Sequence, residues 1–231
     1  QKTVDNSYID CPISFDDELV GLFVDVWPSN CHVVGLSIEC SNVYSMIATP
    51  HLTRKITLHS VHDLRDMNIT NAPHLVILEV REYHIAEISN DTFPGMRFLS
   101  VLKWLDGNLS TIDIQAFEHT SKLLHLSLQR IRIGELVSEH FSALLLLTHL
   151  DLSQNVLKKI SEDLFSENVM LRVLTLSQNN IHYIASKVLS NLLPLSILDL
   201  SSTNVSIDMF PPDLYKLSFQ LTKICVVQHE L

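Results

Sequence analysis

The sequence predicts an α/β repeat protein: a curved solenoid with a parallel sheet on its concave face and an irregular, partly helical convex side. Two observations predict this fold. Apolar residues recur in fixed columns, with a period that is clearest between residues 75 and 200. Hydrophobic residues make up 46% of the 231-residue chain and charged residues 18%, a composition that supports a continuous core and excludes intrinsic disorder.

Six aligned segments carry the repeat. Each begins 24 residues after the one before it (99 − 75 = 24), and they start at Leu75, Leu99, Leu123, Leu147, Leu171 and Leu195. Positions four and six of each segment are apolar, which predicts a short strand because successive side chains on a strand point to opposite faces. Position nineteen predicts the filling beneath the convex side, and it holds Phe93, Phe117, Phe141, Phe165 and Leu189.

Position nine predicts how the chain turns after each strand. An asparagine there can bond turn backbone that would otherwise be buried without partners, and Asn155 and Asn179 occupy the position. The other segments depart from this pattern, so we expect a less regular turn ladder in the first half; these departures are Tyr83, Gly107, Ile131 and Thr203.

Further strands are predicted on both sides of the six segments, giving about nine. Upstream, the strand positions are filled by Ile56 with Leu58 and by Leu36 with Ile38. Downstream, a coil shortened to 19 residues (214 − 195 = 19) offers Leu214, Leu217 and Phe219. The predicted organisation is a cysteine-containing cap with the first strand over 1–40, repeats over 41–221, and a tail over 222–231.

Two segments, LTHLDLSQNVLKKISEDLF and LRVLTLSQNNIHYIASKVL, resemble the extracellular leucine-rich repeat, and the resemblance extends over about 33–221. The proline-bounded FPPDLYKLSF and the spacing of the first three cysteines are similar to Toll-like receptor ectodomains. This resemblance implies a receptor-like module that recognises protein, glycan or microbial ligands, often as a dimer, with a part in innate immunity. The alternative is a secreted matrix or adhesion protein that organises other macromolecules.

The cysteines and the chain end leave alternatives open. The cap favours a Cys31–Cys40 disulfide, whereas Cys11 and Cys225 stay unassigned, because four cysteines allow three pairings and Cys225 could equally be a buried free thiol. The tail lacks a recognisable cysteine-rich cap. We therefore expect either that the natural chain continues or that a capping partner, such as a second copy, covers the last coil.

Four Asn-x-Ser/Thr sequons favour an extracellular location and surface glycans, at Asn68, Asn90, Asn108 and Asn204. No apolar stretch approaches the roughly 20 residues that cross a bilayer, so any membrane anchor is expected outside this chain. The net charge of −10 and the scattered Lys and Arg residues argue against a nucleic-acid partner. No catalytic motif is present, and we expect no enzyme activity, no cofactor and no metal site.

The predicted binding surface is the concave face, formed by residues that alternate with the core positions. His125 and His149 occupy position three of adjacent coils, with Asp151 close by, so two imidazoles should lie about 4.8 Å apart. A solvated polar ladder, a ligand contact or pH sensor, and a metal or catalytic pair are alternative interpretations. The ligand-binding residues predicted on this face are Glu79, Arg81, Lys103, Leu105, Asp106, His125, Gln129, Arg130, His149 and Asp151.

Overall fold

The computed structural model describes residues 30–43, 52–61, 72–185, 187–205 and 223–225. Within these ranges most of the regular structure is β. The strands, in chain order, are β1 (Cys31–Val34), β2 (Ser37–Val43), β3 (Lys55–Val61), β4 (Ile77–Arg81), β5 (Glu87–Ile88), β6 (Val101–Leu105), β7 (Thr111–Ile112), β8 (His125–Gln129), β9 (His149–Asp151), β10 (Lys159–Ile160), β11 (Val173–Thr175), β12 (Tyr183–Ile184), β13 (Ile197–Asp199) and β14 (Lys223–Cys225).

One sheet of ten strands runs the length of the solenoid, in the order β1-β2-β3-β4-β6-β8-β9-β11-β13-β14. From β2 onward every neighbouring pair is parallel and in repeat register, so Leu102 faces Leu126 and Leu126 faces Leu150. Two small sheets, β5–β7 and β10–β12, lie further along their coils, and two 3-10 turns (Glu118–Thr120 and Ser138–Phe141) complete the regular structure of these coils. The predicted parallel-sheet solenoid is confirmed.

The core is a set of columns that run across the coils. The leucines at positions one and four are at most 2% exposed in every coil from 75 to 200. Position nineteen adds a row of aromatic rings beneath the convex side, with ring centroids 6.0 Å apart for Phe93 and Phe117 and 6.1 Å apart for Phe141 and Phe165. Both predicted columns are therefore core. Each coil buries its side chains only against its neighbours.

An antiparallel hairpin closes the first edge of the sheet. Strand β1 pairs with β2, and Cys31 lies opposite Cys40 with their Cα atoms 4.0 Å apart and their sulfurs joined in a disulfide. β1 pairs with the side of β2 that no repeat strand covers, so the sheet ends on a four-residue antiparallel strand, and short edge strands limit pairing with other chains. Cys225 on β14 carries a free thiol, and Cys11 lies outside the described residues.

The last strand is not where the sequence columns predict it. β14 pairs with β13 through Leu198–Ile224 and its neighbours, so the strand lies at 223–225, in the segment expected to be a tail. Ile224 occupies the register position of the buried leucines, and in the sequence Leu221 and Val226 stand at positions one and six of the same register, 26 residues after Leu195 and Leu200 (221 − 195 = 26). The predicted Leu214, Leu217 and Phe219 lie in residues outside the described ranges, and they do not supply the strand that pairs with β13.

Position nine is filled by a buried asparagine in some coils and by other residues where the sequence departs from the asparagine pattern. The Asn155 carboxamide accepts bonds from Ile131 N (3.1 Å) and Ile133 N (3.2 Å) and donates to Leu128 O (2.6 Å) and Leu152 O (2.9 Å). It therefore joins two coils through backbone groups that are buried.

In the first half, an aromatic pair replaces this amide. The ring of Tyr83 packs against that of Trp104, with centroids 5.2 Å apart. At Gly107, the same position of the next coil, a Cβ would lie 2.2 Å from the Tyr83 ring. The glycine is required here because any side chain would displace the tyrosine.

Replacing Asn155 with alanine should lower the free energy of unfolding by about 3 kcal/mol or more, because it leaves several buried backbone groups unpaired at roughly 1–3 kcal/mol each. Chemical denaturation of the variant beside Lys158→Ala, an exposed residue of the same coil, measures the difference. Equal midpoints for the two variants would contradict the structural role of the asparagine.

Candidate ligand-binding site on the concave face

A left-handed residue follows each main-sheet strand from β4 to β13, directly or after two further residues, and lies along the rim of the concave face. Position eight has φ between +53° and +61° in the coils from 75 to 200, although none of these residues is glycine. The conformation points the backbone N–H at the next coil: Asp106 N donates to Gln129 O (3.1 Å) and Gln154 N to Ser177 O (2.9 Å). These bonds offset the cost of a left-handed residue and fix the side chains of position eight along the rim.

The upper part of the face contains a buried carboxylate held by two cations. Glu79 on β4 is 8% exposed and accepts a hydrogen bond from Arg81 Nε at 2.5 Å, while Lys103 Nζ lies 3.5 Å from its other oxygen. Burial acts to raise the pKa of Glu79, but the Arg81 hydrogen bond and the charge of Lys103 outweigh it and hold the pKa below its usual value. The carboxylate is therefore ionised and fixed in place.

A second acidic group continues this network along the rim. Asp106 lies 3.9 Å from Arg81 Nη1 and accepts a hydrogen bond from Arg130, whose Nη1 also donates to Gln154 Oε1 at 3.0 Å. The Arg130 hydrogen bond, partly opposed by burial, holds the pKa of the Asp106 carboxyl below its usual value. Charged groups of three consecutive coils are thus joined in one chain of contacts.

The two predicted histidines form a stacked pair. The rings of His125 and His149 lie 4.1 Å apart between centroids and are inclined by only 9°. Thr148 Oγ1 lies 2.9 Å from His149 Nδ1, and Gln129 donates a hydrogen bond to Asp151 on the same strand as His149. Burial first, then the charges of His125 and Arg172, lower the pKa of His149. The neutral form of His149 is therefore favoured.

A shallow cavity of about 370 Å³ lies between the charged cluster and the histidine pair. Its polar lining includes Arg81, Lys103 and Asp151, and its apolar lining includes Leu105 and Val173. Leu105 was predicted as a ligand-binding residue, but only 4% of its surface is accessible. The cavity combines fixed charges with an apolar floor, which is the usual composition of a binding site.

The predicted site residues are brought together along β4, β6, β8 and β9 and the rim that follows them. Residues without a predicted role also line the cavity, among them Val101, Ser127 and Thr175. The Ser127 hydroxyl is covered and has no hydrogen-bond partner among the described residues. The repeat register predicts that Ser127 lies on this face. It does not predict that the hydroxyl lacks a partner, because that depends on the side chains of adjacent coils.

The sequons that the structure describes lie away from the cavity. Asn108 and Asn204 are exposed at position ten, where the chain leaves the sheet, and Asn90 is half-buried at position sixteen. Asn68 lies outside the described residues. In the described part of the chain, no three His, Cys, Asp or Glu side chains are grouped to hold a metal ion. No helix in these ranges has the length and apolar character needed to cross a membrane.

Residues 121–181 match the sequence profile of the family described as leucine rich repeat. Similar solved structures include a chain of the Drosophila Toll–Spätzle complex in its glycosylated form, with 21% identity and a TM-score of 0.65 over 83% of this chain and 28% of that chain. A chain of the TLR13–ssRNA13 complex has 20% identity and a TM-score of 0.57, over 74% of this chain and 28% of that one.

Internalin C2 from Listeria monocytogenes has 17% identity and a TM-score of 0.61, over 83% of this chain and 80% of its own length. No curated protein sequence matches this one. The likenesses show a shared fold, and the chain spans about 28% of the length of the matched chains in the Toll and TLR13 complexes.

The lowered pKa of His149 makes stability depend on pH. The unfolded chain binds this proton near pH 6.5, whereas the folded chain binds it only at lower pH. The free energy of unfolding should therefore fall as the pH drops below about 6.5 and level off once the folded histidine is protonated. His149→Gln should flatten this part of a plot of melting temperature against pH, whereas His182→Gln, at an exposed site, should not. The same slope in both variants would contradict the assignment.

Proposed function

We propose that this chain, a leucine-rich-repeat protein whose fold resembles the ectodomains of Toll-like receptors, is a non-catalytic extracellular recognition module that binds a protein ligand through its concave face. The observation that carries the proposal is the cavity between the Glu79 cluster and the His125–His149 pair. Fold alone does not assign a ligand, so the argument rests on the chemistry of this surface.

The charged side chains of this face are positioned before a ligand arrives. Arg81 and Lys103 are held by Glu79, and Arg130 is held by Asp106, yet the cations keep 37% to 44% of their side-chain surface accessible. A ligand carboxylate can therefore bind without ordering flexible side chains, which reduces the entropic cost of association. Apolar side chains beside these cations supply the surface that a bound protein can bury.

The extracellular and innate-immune parts of the proposal rest on other features. The Cys31–Cys40 disulfide fits an oxidising compartment, and the exposed sequons would place glycans outside the concave sheet. Toll, whose structure with Spätzle is similar in fold, belongs to development and innate immunity in Drosophila. A protein ligand in that complex supports a protein ligand here.

A binding screen with variants of the concave face tests the proposal. The glycosylated chain is passed over a panel of immobilised purified secreted and cell-surface proteins, and dissociation constants are measured for each specific binder. We expect Lys103→Ala and Arg130→Gln to weaken binding of the ligand more than tenfold, because a few residues near the centre of an interface carry most of its binding energy. Lys187→Ala removes a convex-side cation paired with Glu162 and serves as the matched control. A specific binder that keeps full affinity for both concave variants would place recognition elsewhere.

Expression in a secretory host should attach glycans at Asn108 and Asn204, because both side chains are exposed outside the main sheet. Intact mass before and after glycosidase treatment measures the occupancy, and Asn108→Gln and Asn204→Gln assign it to the two sites. An unchanged mass after glycosidase treatment would count against the extracellular assignment and leave the binding surface to be judged separately.

A further inference from the structure

One edge of the solenoid combines exposed apolar and basic side chains. The coils begin at residues 53, 75, 99, 123, 147, 171 and 195. We define the strand-start edge as three residues of each coil boundary: the two that precede the coil's first residue and the one that follows it. Its backbone is a continuous ladder in which Ser100 N bonds Val76 O and Leu124 N bonds Ser100 O, both at 2.9 Å. Side chains at one position therefore form a row with one member about every 4.8 Å.

The apolar part of this edge extends over three consecutive coils. Leu145, Val169 and Leu193 share one position and are 53%, 48% and 61% exposed, and Leu146 and Met170 beside them are 41% and 43% exposed. The leucines at positions one and four of the same coils are at most 2% exposed, whereas these side chains lie outside the core. A contiguous exposed apolar patch of this kind marks an interaction surface.

The charges of this edge are all positive. Its charged residues are Arg54, Arg97, Lys122 and Arg172, and none of its described positions holds Asp or Glu, although the whole chain carries a net charge of −10. None of the four forms an ion pair with another described residue, in contrast to the paired cations of the concave face. An occupant of this edge must therefore be acidic as well as apolar.

The composition and spacing favour a protein helix as the occupant. Protein interfaces are enriched in Arg, Met and aromatic residues and poor in Lys, and this edge has three arginines to one lysine together with Met170 and Phe98. A helix rises about 5.4 Å per turn, close to the roughly 4.8 Å between coils, so one apolar residue per turn can meet each coil. The four coil steps from Phe98 to Pro194 cover about 19 Å, the length of about 13 helical residues.

We propose that the strand-start edge binds an acidic amphipathic helix of a partner protein. The apolar face of the helix lies on Leu145, Val169 and Leu193, and its carboxylates pair with Lys122 and Arg172. This surface borders the concave cavity, because Thr148 Oγ1 lies 2.9 Å from His149 Nδ1 and the residue after each coil start precedes the first residue of a strand.

The probe is a synthetic 14-residue peptide, labelled with fluorescein, that places leucines on one helical face and glutamates on the other. Fluorescence anisotropy of the intact chain with this peptide should give saturable binding that weakens as salt is added. A peptide of the same composition, scrambled so that the leucines do not share a face, should bind at least tenfold more weakly.

Variants map the binding. Leu145→Glu combined with Val169→Glu should reduce affinity more than tenfold, and Arg172→Glu should reduce it several-fold and flatten the salt dependence. Val156→Glu introduces the same charge at a valine that is 49% exposed on the opposite edge, and it should bind as the parent chain does. Thermal melts of every variant verify the fold. Arg172→Glu alone still tests the proposal if the double variant does not fold.

Absence of saturable peptide binding, equal affinity for the scrambled peptide, or full affinity in Arg172→Glu and the double variant would overturn the proposal. Apolar and basic side chains can also bind an anionic membrane surface. Vesicles of phosphatidylserine and phosphatidylcholine test for this alternative, with vesicles of phosphatidylcholine alone as the control. Sedimentation of the chain with the anionic vesicles, without binding of the peptide, would replace the helix by a membrane surface.

Discussion

The fold depends on backbone pairing between coils, because no single coil can enclose its own apolar side chains. A coil of 24 residues presents a strand, a turn and a few large side chains, and each of them completes its contacts only with the coils on either side. Backbone hydrogen bonds join neighbouring coils at three places: the parallel sheet, the left-handed residue at position eight and the ladder of the strand-start edge. Any residue that widens one junction disturbs all three.

The structure meets this constraint differently in its two halves. Asn155 and Asn179 bond the backbone of two coils at once, whereas Tyr83 and Trp104 fill the same space with rings and force Gly107 on the next coil. The charged cluster of the concave face lies on the aromatic half, and the histidine pair lies where the amides begin. Because strands and the left-handed residues directly after them carry both, their side chains are held by hydrogen-bonded backbone, as a preorganised binding surface requires.

The sequence predicted the parts of the molecule that repeat. Each core column is visible in one chain because the same position is apolar in six coils, and the concave residues follow by alternation. What it could not predict arises between coils. The burial of Glu79 and Leu105 depends on which side chains stand beside them in the next coils. Strand β14 was missed because its coil begins 26 residues after the previous one (221 − 195 = 26), so Leu221, Ile224 and Val226 fall outside the 24-residue period. The sequence did predict that His125 and His149 lie side by side, because both occupy position three of neighbouring coils.

The chain separates its charges into two kinds of surface. On the concave face Arg81, Lys103 and Arg130 are paired with partly buried carboxylates, so their field is largely neutralised and salt screens it weakly. On the strand-start edge the cations are unpaired and exposed, and their attraction for an acidic partner extends only over about 10 Å at ordinary ionic strength. A ligand of the concave face must therefore match a fixed local pattern of both signs, whereas a partner at the edge is selected by sign and apolar area. Two partners with different chemistry can thus be distinguished by one acidic chain.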